Sequence, residues 1–174
     1  EPYAKRTVEG DLGVFVNAHN IIEKENDPHW NETNSDLVPI PITGKQKELT
    51  HWLCSRAVDT AVRRHAGVIS DFYTPSGKKQ IVKGKDLTAI KWVIGTGGAL
   101  TLVDGGEEIL RSVCTGVGKY LLPSSSVQVI LDKAYRFSAL GTLAQVYPNE
   151  VKLTFRNWIN TLIPKFETQR VKEN

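Results

Sequence analysis

No methionine occurs anywhere in the 174 residues, and cysteine occurs only twice. With an opening at Glu1-Pro2-Tyr3, the missing methionine leads us to expect a segment of a longer protein. Cys54 and Cys114 each fall in a helical pattern and match no metal or redox spacing, so a reduced, cytoplasmic protein is expected. No stretch approaches the roughly 18 apolar residues of a membrane span, and residues 1–6 carry no signal-peptide pattern. The net charge is only +3, from 22 basic and 19 acidic residues, too even a balance for a nucleic-acid binder. Gly-Lys-Ser/Thr is absent, which excludes a Walker loop. There is no Gly-x-Ser-x-Gly elbow and no Cys/His nucleophile pair. His19, His29, His51 and His65 show no spacing of four with one another, so no metal site is expected.

What is present is an ordinary globular balance, 40% apolar and 24% charged, over a length that suits one domain. Its organising stretch is Ile90-Lys91-Trp92-Val93-Ile94-Gly95-Thr96-Gly97-Gly98-Ala99-Leu100-Thr101-Leu102. Ile90, Val93 and Ile94 form a short β-branched run, and Trp92 is also a good strand former. Three glycines follow, then the first turn of a helix. Such a strand-to-helix turn can lay its backbone against a flat or anionic ligand, or can serve only to pack helix on sheet. The dinucleotide fingerprint would place glycine where Leu100 stands, so that class is disfavoured.

Along the chain, Asp11 is a good N-cap for a helix carrying Leu12, Phe15, Val16, His19 and Ile22. Residues 25–44 are a polar, proline-broken connection. Thr43 with Gln46 forms a capping box for a second helix, whose apolar face is Leu49, Trp52, Leu53, Ala57, Ala61 and Val62. Arg63, Arg64 and His65 suit its last turn, and Gly67 is its expected stop. Residues 68–73 and 80–82 flank a turn and predict a hairpin. Ile109, Leu110, Val113 and Cys114 mark a short helix, and residues 127–131 a second buried strand closing on Asp132. Residues 135–147 then predict a helix, Pro148 starts another, and Val151, Phe155, Trp158, Ile159 and Leu162 stripe it. Residues 165–174 are a polar tail expected to fray. Strand–helix alternation around residues 90–94 and 127–131 argues for α/β with those two strands parallel.

Three groups are candidates for chemistry. Gly95, Thr96, Gly97, Gly98, Ala99 and Leu100 come first. Glu9, Gly10 and Asp11, with Arg6 beside them, come second: a turn that can offer N–H groups or a carboxylate toward a metal-bound phosphate, unless Asp11 is simply a cap. Lys78, Lys79, Lys83 and Lys85 come third, as a phosphate patch or as a solvated hairpin. Asp132 fits a ligand residue or a helix cap equally well. No catalytic residue can be assigned.

Several stretches together resemble a known family. They are Arg6-Thr7-Val8-Glu9-Gly10-Asp11-Leu12-Gly13, Arg64-His65-Ala66-Gly67, Gly84-Lys85-Asp86-Leu87-Thr88, Val93-Ile94-Gly95-Thr96-Gly97-Gly98 and Leu121-Leu122-Pro123. Leu131-Asp132-x-x-Tyr135 with Ala139-Leu140-Gly141 completes the order. The set, running from Arg6 to Leu162, resembles the C-terminal part of glutamate mutase reactivating proteins, the MutL/GlmL-type accessory factors of methylaspartate mutase. That resemblance implies the actin-like ATPase superfamily of acetate and sugar kinases and heat-shock chaperones. Residues 1–164 would then be the C-terminal lobe of an actin-like ATPase (ribonuclease H-like) fold, an incomplete mixed sheet flanked by helices, with residues 25–44 inserted.

By the same resemblance, Gly95 to Leu100 would be an adenosine loop, and Val8 to Asp11 a turn near the phosphates of ATP or ADP with Mg2+. By the same resemblance, the Asp-x-Gly phosphate loops of that superfamily, with their surrounding strands, are expected upstream of this chain. Hydrolysis is therefore expected of the full-length protein and not of this segment alone. The implied partners are nucleotide and the subunits of an adenosylcobalamin-dependent mutase, with no nucleic acid and no membrane. Two other functions compete: a small-molecule kinase of the same superfamily, and a non-catalytic interaction module on the same fold.

Overall fold

The computed structural model describes residues 8–30 and 35–170. Arg6 and Thr7, residues 31–34 of the connection and residues 171–174 of the tail lie outside the described residues, as does the side chain of Leu162. The chain divides at Leu131/Asp132 into two compact units.

The first unit is built around α2 (Gly44–His65). Its capping box forms as the sequence predicts. The Gln46 N–H donates to Thr43 Oγ1 at 3.3 Å, and Gln46 Oε1 accepts from the Thr43 N–H at 3.1 Å. One face of α2, with Leu49 and Leu53 fully buried, packs against Leu12, Trp30 and, from α1 (Ala18–Glu25), Ala18 and Ile21. Another face, through Val58 and Val62, packs against a second apolar cluster. That cluster belongs to a parallel pair of strands, β3 (Trp92–Gly95) and β4 (Gln128–Leu131), and to α4 (Gly106–Ser112). The register sets Val93 beside Val129 and Gly95 beside Leu131. The helical crossover that a parallel pair requires is supplied by α3 (Gly98–Leu102) and α4.

Between α2 and β3 the chain makes an antiparallel hairpin, β1 (Val68–Thr74) and β2 (Gly77–Lys83). The parallel pair and the hairpin were both expected, and the chain is α/β. A single mixed sheet is not what forms among the described residues. The hairpin and the parallel pair are two separate two-stranded sheets, because β1 is tethered through Val68 to Tyr120 and not to β3 or β4.

Two local expectations need correction. The first helix starts at Ala18, seven residues past Asp11, and its N-cap position is Asn17. Asp11 is not the cap, because Arg64 holds its carboxylate. Val16 is consequently exposed, and Leu12 and Ile21 carry the packing. Nor is Gly67 a left-handed stop for α2. The helix ends in an extended Ala66, and Gly67 instead lets Gly84 cross it. A Cβ on Gly84 would lie 2.8 Å from Gly67 Cα, a clearance only two glycines give.

The second unit holds α5 (Arg136–Leu143) and α6 (Pro148–Arg170). Pro148 occupies the first helical position, as expected. Phe137 packs edge-on to Phe155 and Trp158 with centroids 5.5 and 5.1 Å away, and the Arg136 guanidinium lies 5.2 Å from the Trp158 ring centroid.

Candidate functional site

The glycine loop joins β3 to α3, and its residues divide by what surrounds them. Gly95 is buried, and a Cβ there would stand 2.5 Å from Leu110 Cδ1 and 2.8 Å from Leu100 Cδ2. A side chain there would have to displace both leucine side chains. Leu100 belongs to the same apolar cluster. Thr96 is exposed, and nothing lies within 4 Å of a Cβ built on Gly97. Gly97 has φ 98° and ψ 142°, a conformation that essentially only glycine adopts. Its carbonyl accepts from both the N–H and the Oγ1 of Thr101, each at 2.9 Å. Gly98 and Ala99, both half-buried, open α3. The loop thus has a packed side at Gly95 and Leu100 and an open side at Thr96 and Gly97.

Glu9 and Asp11 are held by one arginine from the last turn of α2. Arg64 Nη1 donates to Glu9 Oε2 at 2.8 Å and to both Asp11 carboxylate oxygens at 2.9 Å. The guanidinium holds the Asp11 carboxyl below the usual aspartate range, and Glu9 and Asp11 together raise Arg64. The backbone of this turn is fixed as well, by Asn17 Nδ2 donating to Gly10 O at 2.7 Å and Asn20 Nδ2 to Asp11 O at 3.2 Å.

These two candidate groups lie against different faces of α2. Leu12, next to Asp11, packs with Leu49, Leu53, Ala57 and Ala61, and Arg64 continues that row. Leu100 of the glycine loop packs with Val58 and Val62, about 100° round the helix.

Of the remaining candidates, Asp132 and Lys78 have plain structural roles. Asp132 caps α5, accepting from the N–H groups of Arg136 and Phe137 at 2.9 and 3.0 Å. Lys78 pairs with Asp71 at 2.9 Å. Both cysteines are free and buried, and burial pushes the Cys54 thiol up to about 11 and raises Cys114, so neither is an activated nucleophile. Among the described residues there is no metal-holding group of His, Cys, Asp and Glu, and no helix long and apolar enough to cross a membrane.

One concavity was not legible in the sequence: a depression of about 360 Å³ lined by Asp27, His29, Trp30, Glu48, His51, Trp52, Ser55 and Arg56. Its wall is the Trp30–Trp52 pair, 6.0 Å between centroids, with Arg56 5.9 Å over Trp52. The connection supplies one half and α2 the other. Trp52 and its i±4 neighbours Glu48 and Arg56 share one side of α2, but nothing in the sequence brings residues 27–30 to them.

A protein-family model described as MutL protein matches residues 1–159. Protein MutL of Clostridium tetanomorphum is 32% identical over 176 residues, an alignment that takes in 91% of this chain and 38% of that protein. The chain therefore spans well under half the length of that relative. No solved structure matches it.

Proposed function

The chain belongs to the MutL family, and from that premise we propose that it is the nucleotide-binding C-terminal lobe of an ATP-dependent chaperone that reactivates an adenosylcobalamin-dependent mutase of the glutamate mutase type. In this reading the fold is the second lobe of an actin-like ATPase working in the cytoplasm, and ATP or ADP with Mg2+ is its ligand. The observation that carries it is the divided glycine loop. At the carboxyl end of β3, where α/β sheets receive ligands, Thr96 and Gly97 leave the backbone open while Gly95 and Leu100 anchor it from behind. That open strip fits the flat face of a nucleoside, with Thr96, Gly97 and Gly98 as its contacts. Bound nucleotide would supply the free energy of phosphoryl transfer, and this chain would contribute position rather than phosphate chemistry.

A second reading, an interaction module without catalysis, draws support from the other candidate group. Glu9 and Asp11 both pair with Arg64, so a Mg2+ ion there would have to compete with that guanidinium.

Calorimetry on the full-length protein tests both. Binding of ADP with Mg2+ that is lost in Gly98→Val, with the melting temperature retained, bears out the first reading. No heat from either nucleotide favours the second. Equal affinity in the wild type and the variant removes the loop from the site.

A further inference from the structure

We propose that the β1–β2 hairpin is a docking edge for an extended acidic segment of a partner protein, which adds to β2 as a third strand. The hairpin is a two-stranded sheet, an arrangement only marginally stable by itself in water. It nonetheless exposes four large apolar side chains: Phe72, Tyr73, Ile81 and Val82 are 50–74% exposed.

Register shows which backbone groups are available. The outward N–H of Ile69 on β1 donates to Lys119 O at 2.9 Å. Ile69 stands opposite Val82, and in an antiparallel ladder opposed residues both face in or both face out. Val82 therefore directs its N–H and C=O away from β1, as do Gln80 and Lys78 at alternate positions. No third strand takes these groups among the described residues. The opposite edge of the hairpin, on β1, is partly closed by the bridge from Val68 to Tyr120. The open edge belongs to β2.

Side chains along β2 then say what fits. Lys79, Ile81 and Lys83 alternate and share one face, with Phe72 opposite Lys79. Lys78 is paired with Asp71, whereas Lys79, Lys83 and the adjacent Lys85 have no ion pair among the described residues. Edge lysines deter pairing with a second copy, which would bring like charges together. The same lysines favour a strand with carboxylates two residues either side of an apolar side chain. Main-chain bonds would give the affinity and the Lys–Ile–Lys row the selectivity. This inference stands apart from the nucleotide reading.

The test is a titration of the 15N-labelled protein with the blocked peptide Thr-Glu-Thr-Val-Thr-Glu-Thr, followed by amide shifts. We expect shifts at Lys78, Gln80 and Val82, and none with the peptide bearing lysine for glutamate. Lys79→Glu with Lys83→Glu should weaken binding on the order of fivefold or more, with the hairpin signals otherwise preserved. N-methylating one alternate set of peptide nitrogens should abolish binding, and the other set should be tolerated. Binding indifferent to N-methylation, equal affinity for the lysine peptide, absence of any shift, or concentration-dependent pairing of copies through β2 would each overturn the proposal.

Discussion

Arg64 reaches across 53 residues of sequence to bind both carboxylate oxygens of Asp11 at 2.9 Å. This contact decides against one reading of the turn at residues 9–11. A carboxylate that the sequence offers as a helix cap is instead the partner of a cation on α2.

The pair makes a pH prediction whose sign is fixed. Asp11 has a folded value below that of the unfolded chain. Its contribution is fully present above the ordinary aspartate range of about 4 and is lost as the pH falls through its depressed value. Arg64 remains charged throughout. In Arg64→Met the Asp11 carboxyl should titrate near its ordinary value by carbon-detected NMR. The stability difference between wild type and variant should shrink as the pH is lowered below about 4. A difference that does not vary with pH would mean that the contact is not maintained in solution.

Gly95 and Gly97 sit two residues apart and should respond to alanine for opposite reasons. At Gly95 the new Cβ meets Leu110 and Leu100 at 2.5 and 2.8 Å, an overpacking defect of about 1–3 kcal/mol. At Gly97 there is space but a backbone conformation closed to side chains, a strain of similar size, about 1–3 kcal/mol. Trimming Leu110 to valine should therefore relieve part of the Gly95→Ala loss and none of the Gly97→Ala loss in urea unfolding. Equal rescue of both would show that the loop is not divided into a packed and an open side.

What the sequence made legible and what it hid separate by distance along the chain. The Thr43–Gln46 capping box, the Pro148 start of α6 and the strand at residues 127–131 depend on neighbours within four residues or on a short apolar run, and all were readable. The start of α1 was not, since Asp11 had the residue type of a cap and only the fold supplies Arg64. Gly67 was misread for the same reason: a glycine after a helix looks like a stop, and Gly84, whose approach it permits, lies 17 positions on. Within the glycine loop the three glycines look alike in sequence, and Gly95 is told from Gly97 by Leu100, Leu110 and Leu131, the last two brought in by α4 and β4, and by the positive φ at Gly97. The depression at Trp30 and Trp52 needs both the connection and α2. Its residues were visible one by one, but their meeting was not.

Asp132 is the position where two readings, ligand residue and cap, predict different chemistry for one substitution. It is 2% exposed, and its two oxygens accept separately from the N–H groups of Arg136 and Phe137, at the first turn of α5. Those N–H groups have no partner within the helix, since the first four donors of any helix lack one. Tyr135, just before, has φ 53°, so the chain enters α5 through a left-handed residue, a conformation that carries its own cost for a bulky side chain. Asp132→Ala removes both acceptors and should cost about 1–2 kcal/mol. Asp132→Asn keeps one carbonyl oxygen and should retain part of that. Amide exchange at Arg136 and Phe137 should quicken in the alanine variant, less so in asparagine, while the 92–95 strand amides are unaffected. A ligand role would reverse the pattern, with both variants losing ligand affinity and neither altering exchange in α5.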